Sequence, residues 1–117
     1  MLAKHFKRSE FACQDECGFD VVDAELLAVL IEVREVFGQP VTITSGCRCT
    51  SHNAHVGGVI TSQHVRGKAA DIKVAGVATT VVAAYLDQMY PNKYGIGAAT
   101  NFVHIDVRDD KPRRWTY

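Results

Sequence analysis

The stretch "SQHVRGKAADI", Ser62 to Ile72, sets His64 and Asp71 on either side of Gly67, beside the small residues Ala69 and Ala70. A histidine and a carboxylate flanking small residues form either a solvated turn or two of the three protein ligands of a metal ion. The second reading needs a strand that delivers Asp71 to a fixed place, and it needs a third ligand. "ADIKV", Ala70 to Val74, has the strand pattern: Ala70, Ile72 and Val74 share one face, Asp71 and Lys73 the other. "FVHIDV", Phe102 to Val107, repeats the alternation, with Val103, Ile105 and Val107 facing one way and Phe102, His104 and Asp106 the other. If these two strands are neighbours with their isoleucines on the core, Asp71 and His104 emerge together on the opposite face. His64, upstream across a glycine turn, can then swing in beside them. Two imidazoles and a carboxylate would leave zinc a fourth position for water, the pattern of catalytic sites.

Around this centre the chain is orderly. "DAELLAVLIEVREVF", Asp23 to Phe37, places Leu26, Leu30, Val33 and Phe37 on one helical face, with Asp23 as N-cap and "GQP" at Gly38 to Pro40 as the stop. "VTITS", Val41 to Ser45, reads as a strand. From Gly46 to Gly67 the composition turns to Gly, Ser, Asn and His without periodicity, which predicts a long loop of the functional kind. A second helix is expected over Thr79 to Met89 with Val82, Tyr85, Leu86 and Met89 inward. "YGIGAA", Tyr94 to Ala99, reads as a short strand weakened by glycine, and Thr100 and Asn101 as the turn into the return strand. The tail "RDDKPRRW", Arg108 to Trp115, mixes both charge signs and reads as a solvated end, with Trp115 and Tyr117 covering a core edge rather than stacking on a sugar.

Composition bounds the rest. A chain of 117 residues that is 47% hydrophobic, with 9 Gly and 3 Pro, suits one compact α+β domain over residues 1–117. Lys plus Arg and Asp plus Glu both number 13, so no nucleic-acid partner held by bulk electrostatics is expected. No stretch approaches the roughly 20 apolar residues of a membrane span, and "MLAKHFKRSEF" lacks the apolar run of a secretory signal. Synthesis in a cytoplasm, no membrane partner and a monomer are the expectations. Cys13, Cys17, Cys47 and Cys49 form two close pairs; reduced thiols, a disulfide between the segments and a four-cysteine zinc site are the three readings, the last fitting the C-x3-C and C-x-C spacings poorly.

The constellation resembles a known family. Ser62, His64, Gly67, Ala69 and Asp71 match the SxHxxGxAxD signature of the zinc-dependent D-Ala-D-Ala carboxypeptidases and related peptidoglycan peptidases, which share a fold with the hedgehog signalling domain. "FVHIDV" looks like the later strand that carries the third ligand, His104. "TSGCRCTSHNAHVGG", Thr44 to Gly58, is similar to the TSGxRxxxxN segment, and "HFKRSEFAC" to the start of short phage and bacterial members. The resemblance runs collinearly over nearly the whole chain.

What the resemblance implies is specific. The fold would be a small, mostly antiparallel sheet with helices packed on one face. One Zn2+ per chain would be held by His64, Asp71 and His104, acidifying water and polarising the scissile carbonyl. Arg48, with Ser62 or Gln63, would hold a substrate carboxylate or the developing oxyanion. The substrate would be a peptidoglycan stem peptide, cut either at terminal D-Ala-D-Ala or internally. Without a signal, the enzyme would be a phage or prophage lysis protein that acts on the wall after release. One departure bears on the mechanism. Better-known branches carry a general base as Glu three residues before the last ligand or His two before it, and here those positions hold Asn101 and Phe102. Asp106, two residues after His104, is then either the base or the partner that orients His104; His52 and His55 are weaker candidates for the base. The competing function is a catalytically silent, zinc-containing cell-wall-binding domain of the same fold.

Overall fold

The computed structural model describes residues 6, 10, 23–46, 68–108 and 111–117. Among these residues seven elements follow in chain order: α1 (Ala24–Phe37), β1 (Val41–Ser45), β2 (Ala69–Val74), α2 (Thr79–Met89), β3 (Gly95–Ala98), β4 (Val103–Asp106) and β5 (Arg113–Thr116). The strands form one sheet in the order β1-β2-β4-β3-β5. Every pairing is antiparallel except β3 with β5, which run parallel.

The helices begin and end where their sequences require. The Asp23 carboxylate accepts from the Glu25 and Leu26 amides at 2.8 and 3.3 Å, satisfying two N–H groups that the first turn leaves unpaired. Gly38 closes α1 in the left-handed conformation, φ 63°, donating its N–H to the Arg34 carbonyl. α1 packs on β1 and β2, and α2 on β3 with β2 and β4, so both helices cover the same face. Leu26, Leu30 and Val33 of α1 and Val82 and Leu86 of α2 meet Ile72, Ile96, Val103 and Ile105 there. Burying each of these side chains contributes roughly 1.5–3 kcal/mol relative to exposing it.

Two of the expected inward positions differ. Met89, the last residue of α2, is 47% exposed. Tyr85 is half-buried and spends its polar end on a partner: its hydroxyl donates to Glu32 Oε1 at 2.8 Å, while Tyr90 donates to the other oxygen at 2.9 Å. Burial, reinforced by the Glu32 carboxylate, pushes the Tyr90 phenol up to about 12. Tyr94 does the same for α1, donating to Glu25 at 2.5 Å from a backbone held at φ 72°.

The tail is the larger correction. The segment read as a solvated end contains β5, and Arg114 anchors it on the helix side. Its guanidinium donates five hydrogen bonds, to Asp87 Oδ1 and to the carbonyls of Tyr90, Lys93, Tyr94 and Arg113, at 2.6 to 3.1 Å. That uses the five N–H groups of the side chain. The loop from α2 into β3 is thereby fixed, and so is the register of β5 along β3.

Candidate active site

The face of the sheet opposite the helices is organised in two rows running across the strands. One row is Asp71, His104, Gly97 and Trp115; the next is Ala69, Asp106, Gly95 and Arg113. Alternation alone brings Asp71 and His104 together, since they are directly paired on β2 and β4. Asp71 lies deeper along its strand than its motif position suggests: it is the third residue of β2, where β1 bulges between Ile43 and Ser45. The Thr44 hydroxyl donates to the Asp71 carbonyl at 3.1 Å and ties that bulge down.

His104 is held at both nitrogens. Nε2 lies 2.7 Å from Asp106 Oδ2, and Nδ1 lies 3.1 Å from Asp71 Oδ1. Asp106 is fully buried, yet both its oxygens are engaged. Arg108 donates from Nε to Oδ1 and from Nη2 to Oδ2, each at 2.7 Å, and the Gly95 amide donates to Oδ1 at 3.1 Å. Burial alone would raise the Asp106 pKa, but the bonds from Arg108 and His104 outweigh it and hold the carboxyl below the usual carboxylate range. Burial would likewise lower the His104 pKa, and the bonds to Asp106 and Asp71 outweigh that and raise it.

An ionised Asp106 can only accept, so Nε2 of His104 facing it carries a proton. Nδ1 of a neutral ring is then a lone pair facing the Asp71 oxygen, two acceptors in contact. Such a pair is stable only with a proton or a cation between them. A proton makes the ring an imidazolium bridging two carboxylates; a divalent cation would take the proton's place and accept from both. The donor set, one imidazole nitrogen and one carboxylate oxygen, suits zinc. Among the described residues no three His, Cys, Asp or Glu side chains are gathered as a metal site.

The glycines of β3 make this crowding possible. A Cβ on Gly95 would run into the Asp106 carboxylate and stand 2.7 Å from the Arg108 guanidinium. A Cβ on Gly97 would penetrate the Trp115 indole. Trp115 therefore lies over β3 with its ring centroid 5.0 Å from that of His104, and the guanidinium carbons of Arg108 and Arg113 each lie 5.6 Å from its centroid. It belongs to the site's face, not to a core edge as its place in the sequence suggested.

Of the other residues singled out from sequence, His64, Arg48, Ser62, Gln63, His52, His55 and the four cysteines lie outside the described residues. Asn101, where other branches carry a base, is exposed in the β3–β4 turn, and Phe102 packs on Tyr117 with centroids 5.1 Å apart. Arg108, Gly95, Gly97 and Trp115 were not anticipated. The one available signal was "YGIG", whose glycines both fall on the site face and leave room for side chains from other strands.

No helix among the described residues is long and apolar enough to cross a membrane. A comparison with curated proteins finds no match. The family model described as Peptidase M15 matches residues 4–106, a span that takes in β1 to β4 together with Asp71, His104 and Asp106, and the chain belongs to that family of peptidases.

Proposed function

We propose that this peptidase is a zinc-dependent hydrolase of peptidoglycan stem peptides, cutting terminal D-Ala-D-Ala or an internal bond, and that it serves phage or prophage lysis, reaching the wall after release from the cytoplasm. The observation that carries the reading is the buried contact between His104 Nδ1 and Asp71 Oδ1 on a charge-rich sheet face. Two acceptors aimed at one point make half of a cation site, and His64, from the motif's other end, supplies the third ligand.

When bound, zinc would supply Lewis acidity toward water and the scissile carbonyl. The chain's own residues do the rest. Asp71 and His104 present their donors from paired strands, so their separation is set by the sheet and not by a loop. Asp106 fixes the His104 ring and its tautomer through Nε2. Buried and bonded to Arg108, Gly95 and His104, it is a positioning residue and not the base. Arg48, with Ser62 and Gln63, binds the substrate carboxylate or the oxyanion.

Purified sacculi and defined muropeptides, digested and weighed by mass spectrometry, test the activity and identify the bond. One zinc per chain is expected, with turnover lost on chelation and in His64→Ala and Asp71→Ala. Asp106→Asn separates its two roles: a positioning residue loses about 10- to 100-fold in zinc affinity and recovers turnover at high zinc, whereas a base binds zinc normally and does not turn over. Zinc binding with intact sacculi under every condition would instead identify a silent wall-binding domain.

A further inference from the structure

The geometry points to a second recognition element on β5: we infer that Arg113 and Trp115 form a subsite for a carboxylate of the bound peptide, beside the bond that is cut. The inference rests on the peptidase reading above and adds to it the chemistry of a flanking substrate residue.

Among the described residues three guanidiniums belong to this corner of the molecule, and two are fully committed. Arg114 spends all five N–H groups on Asp87 and backbone carbonyls. Arg108 is neutralised by the buried Asp106. Arg113 is exposed, on the site face, and among the described residues it makes no ion pair. Its guanidinium is nevertheless placed, 5.6 Å from the indole centroid of Trp115, a geometry in which the ring holds the cation without using its hydrogen-bond donors. A planar, oriented fork with vacant donors is what a carboxylate binds bidentately.

The location is set by register. Arg113 stands in the row of Asp106 and Gly95, two strands from β4, and Trp115 in the row of His104. Two inter-strand spacings are about 10 Å, the length of about three extended peptide residues. Trp115 spans that interval, touching His104 at one side and Arg113 at the other. A peptide whose scissile carbonyl lies at His104 would run along the indole and bring a carboxylate one to three residues away under Arg113. Stem peptides carry such groups, on D-Glu and diaminopimelate.

Trp115 is the only tryptophan in the chain, so its emission reports directly on this subsite. The full chain is titrated with the stem tetrapeptide bearing free D-Glu and diaminopimelate carboxylates, and with the same peptide amidated at both. The free acid is expected to shift Trp115 emission. Arg113→Gln should weaken its binding about five- to tenfold with an unchanged melting temperature, amidation should do the same, and the two losses should not add. Arg113→Lys should recover part of the affinity for the free acid alone. The subsite is overturned if the free acid leaves the emission unmoved, or if Arg113→Gln weakens both peptides equally or neither. Binding with this pattern but no cleavage retains the subsite and defeats the peptidase reading; cleavage indifferent to Arg113 does the reverse.

Discussion

The two faces of the sheet are made from the same strands and obey opposite rules. On the helix side, Ile72, Ile96, Val103 and Ile105 only fill space against Leu26, Leu30 and Leu86, so volume is what counts. On the other side, Asp71, His104, Asp106 and Trp115 are each held by a partner of definite charge or shape, over two glycines that give up their own volume to them. The first face decides whether the chain folds. The second decides what a folded chain can do.

Adjacent residues of β4 offer the sharpest way to break this division. His104→Ala should lower turnover on the order of a thousandfold or more, since it removes a donor to the cation, while melting shifts only slightly. Ile105→Ala, one residue along and facing the helices, should cost about 2–5 kcal/mol in denaturant unfolding and leave the turnover of the folded fraction within about twofold. If both substitutions moved the same observable, the two faces would not be separate.

Asp106 sits where the rules meet, a charge buried as deeply as the core. Asp106→Asn keeps the volume and leaves Arg108 facing a neutral amide, so unfolding by denaturant should show a loss of roughly 3 kcal/mol. Gly95→Ala asks the same question by volume. It drives a methyl into the Asp106–Arg108 pair and should cost about 1–3 kcal/mol; Gly97→Ala should cost a similar amount and also displace Trp115, visible as a shift in its emission.

The smallest effect is in pH. The His104 pKa is raised in the folded chain, so its contribution to stability is complete below the ordinary value of 6.5 and is lost as pH rises through the folded value. The Asp106 pKa is depressed, so its contribution is complete above 3.8 and is lost as pH falls toward the folded value. Chelator-treated protein should therefore melt highest between those two pH values and lower on either side. Zinc should reverse the alkaline limb, because deprotonating the ring favours the cation. His104→Asn should flatten that limb and also weaken the acid one, since His104 helps hold the Asp106 pKa down.

Much of this was legible in the residues. Asp23 and Gly38 mark α1 because a carboxylate caps free amides and only glycine enters the left-handed region cheaply. Period-two alternation in "ADIKV" and "FVHIDV" placed Asp71 and His104 on one face, because a strand leaves no other option. β5 was hidden because "RDDKPRRW" carries charge at both alternating positions, and its inward residue is Arg114, whose charge is satisfied by carbonyls that only the folded loop brings together. For Asp106 the residues left two roles open, the base or the partner that orients His104. Spacing puts it on the face of His104, but only the Gly95 amide and the Arg108 fork show that its oxygens are already taken.

The parallel pairing of β5 with β3 makes the last strand a separable layer of the structure. A chain cut before Arg113 would keep the β2–β4 pairing that sets Asp71 beside His104, and would lose the indole beside His104 together with the Arg114 bonds that fix the α2–β3 loop.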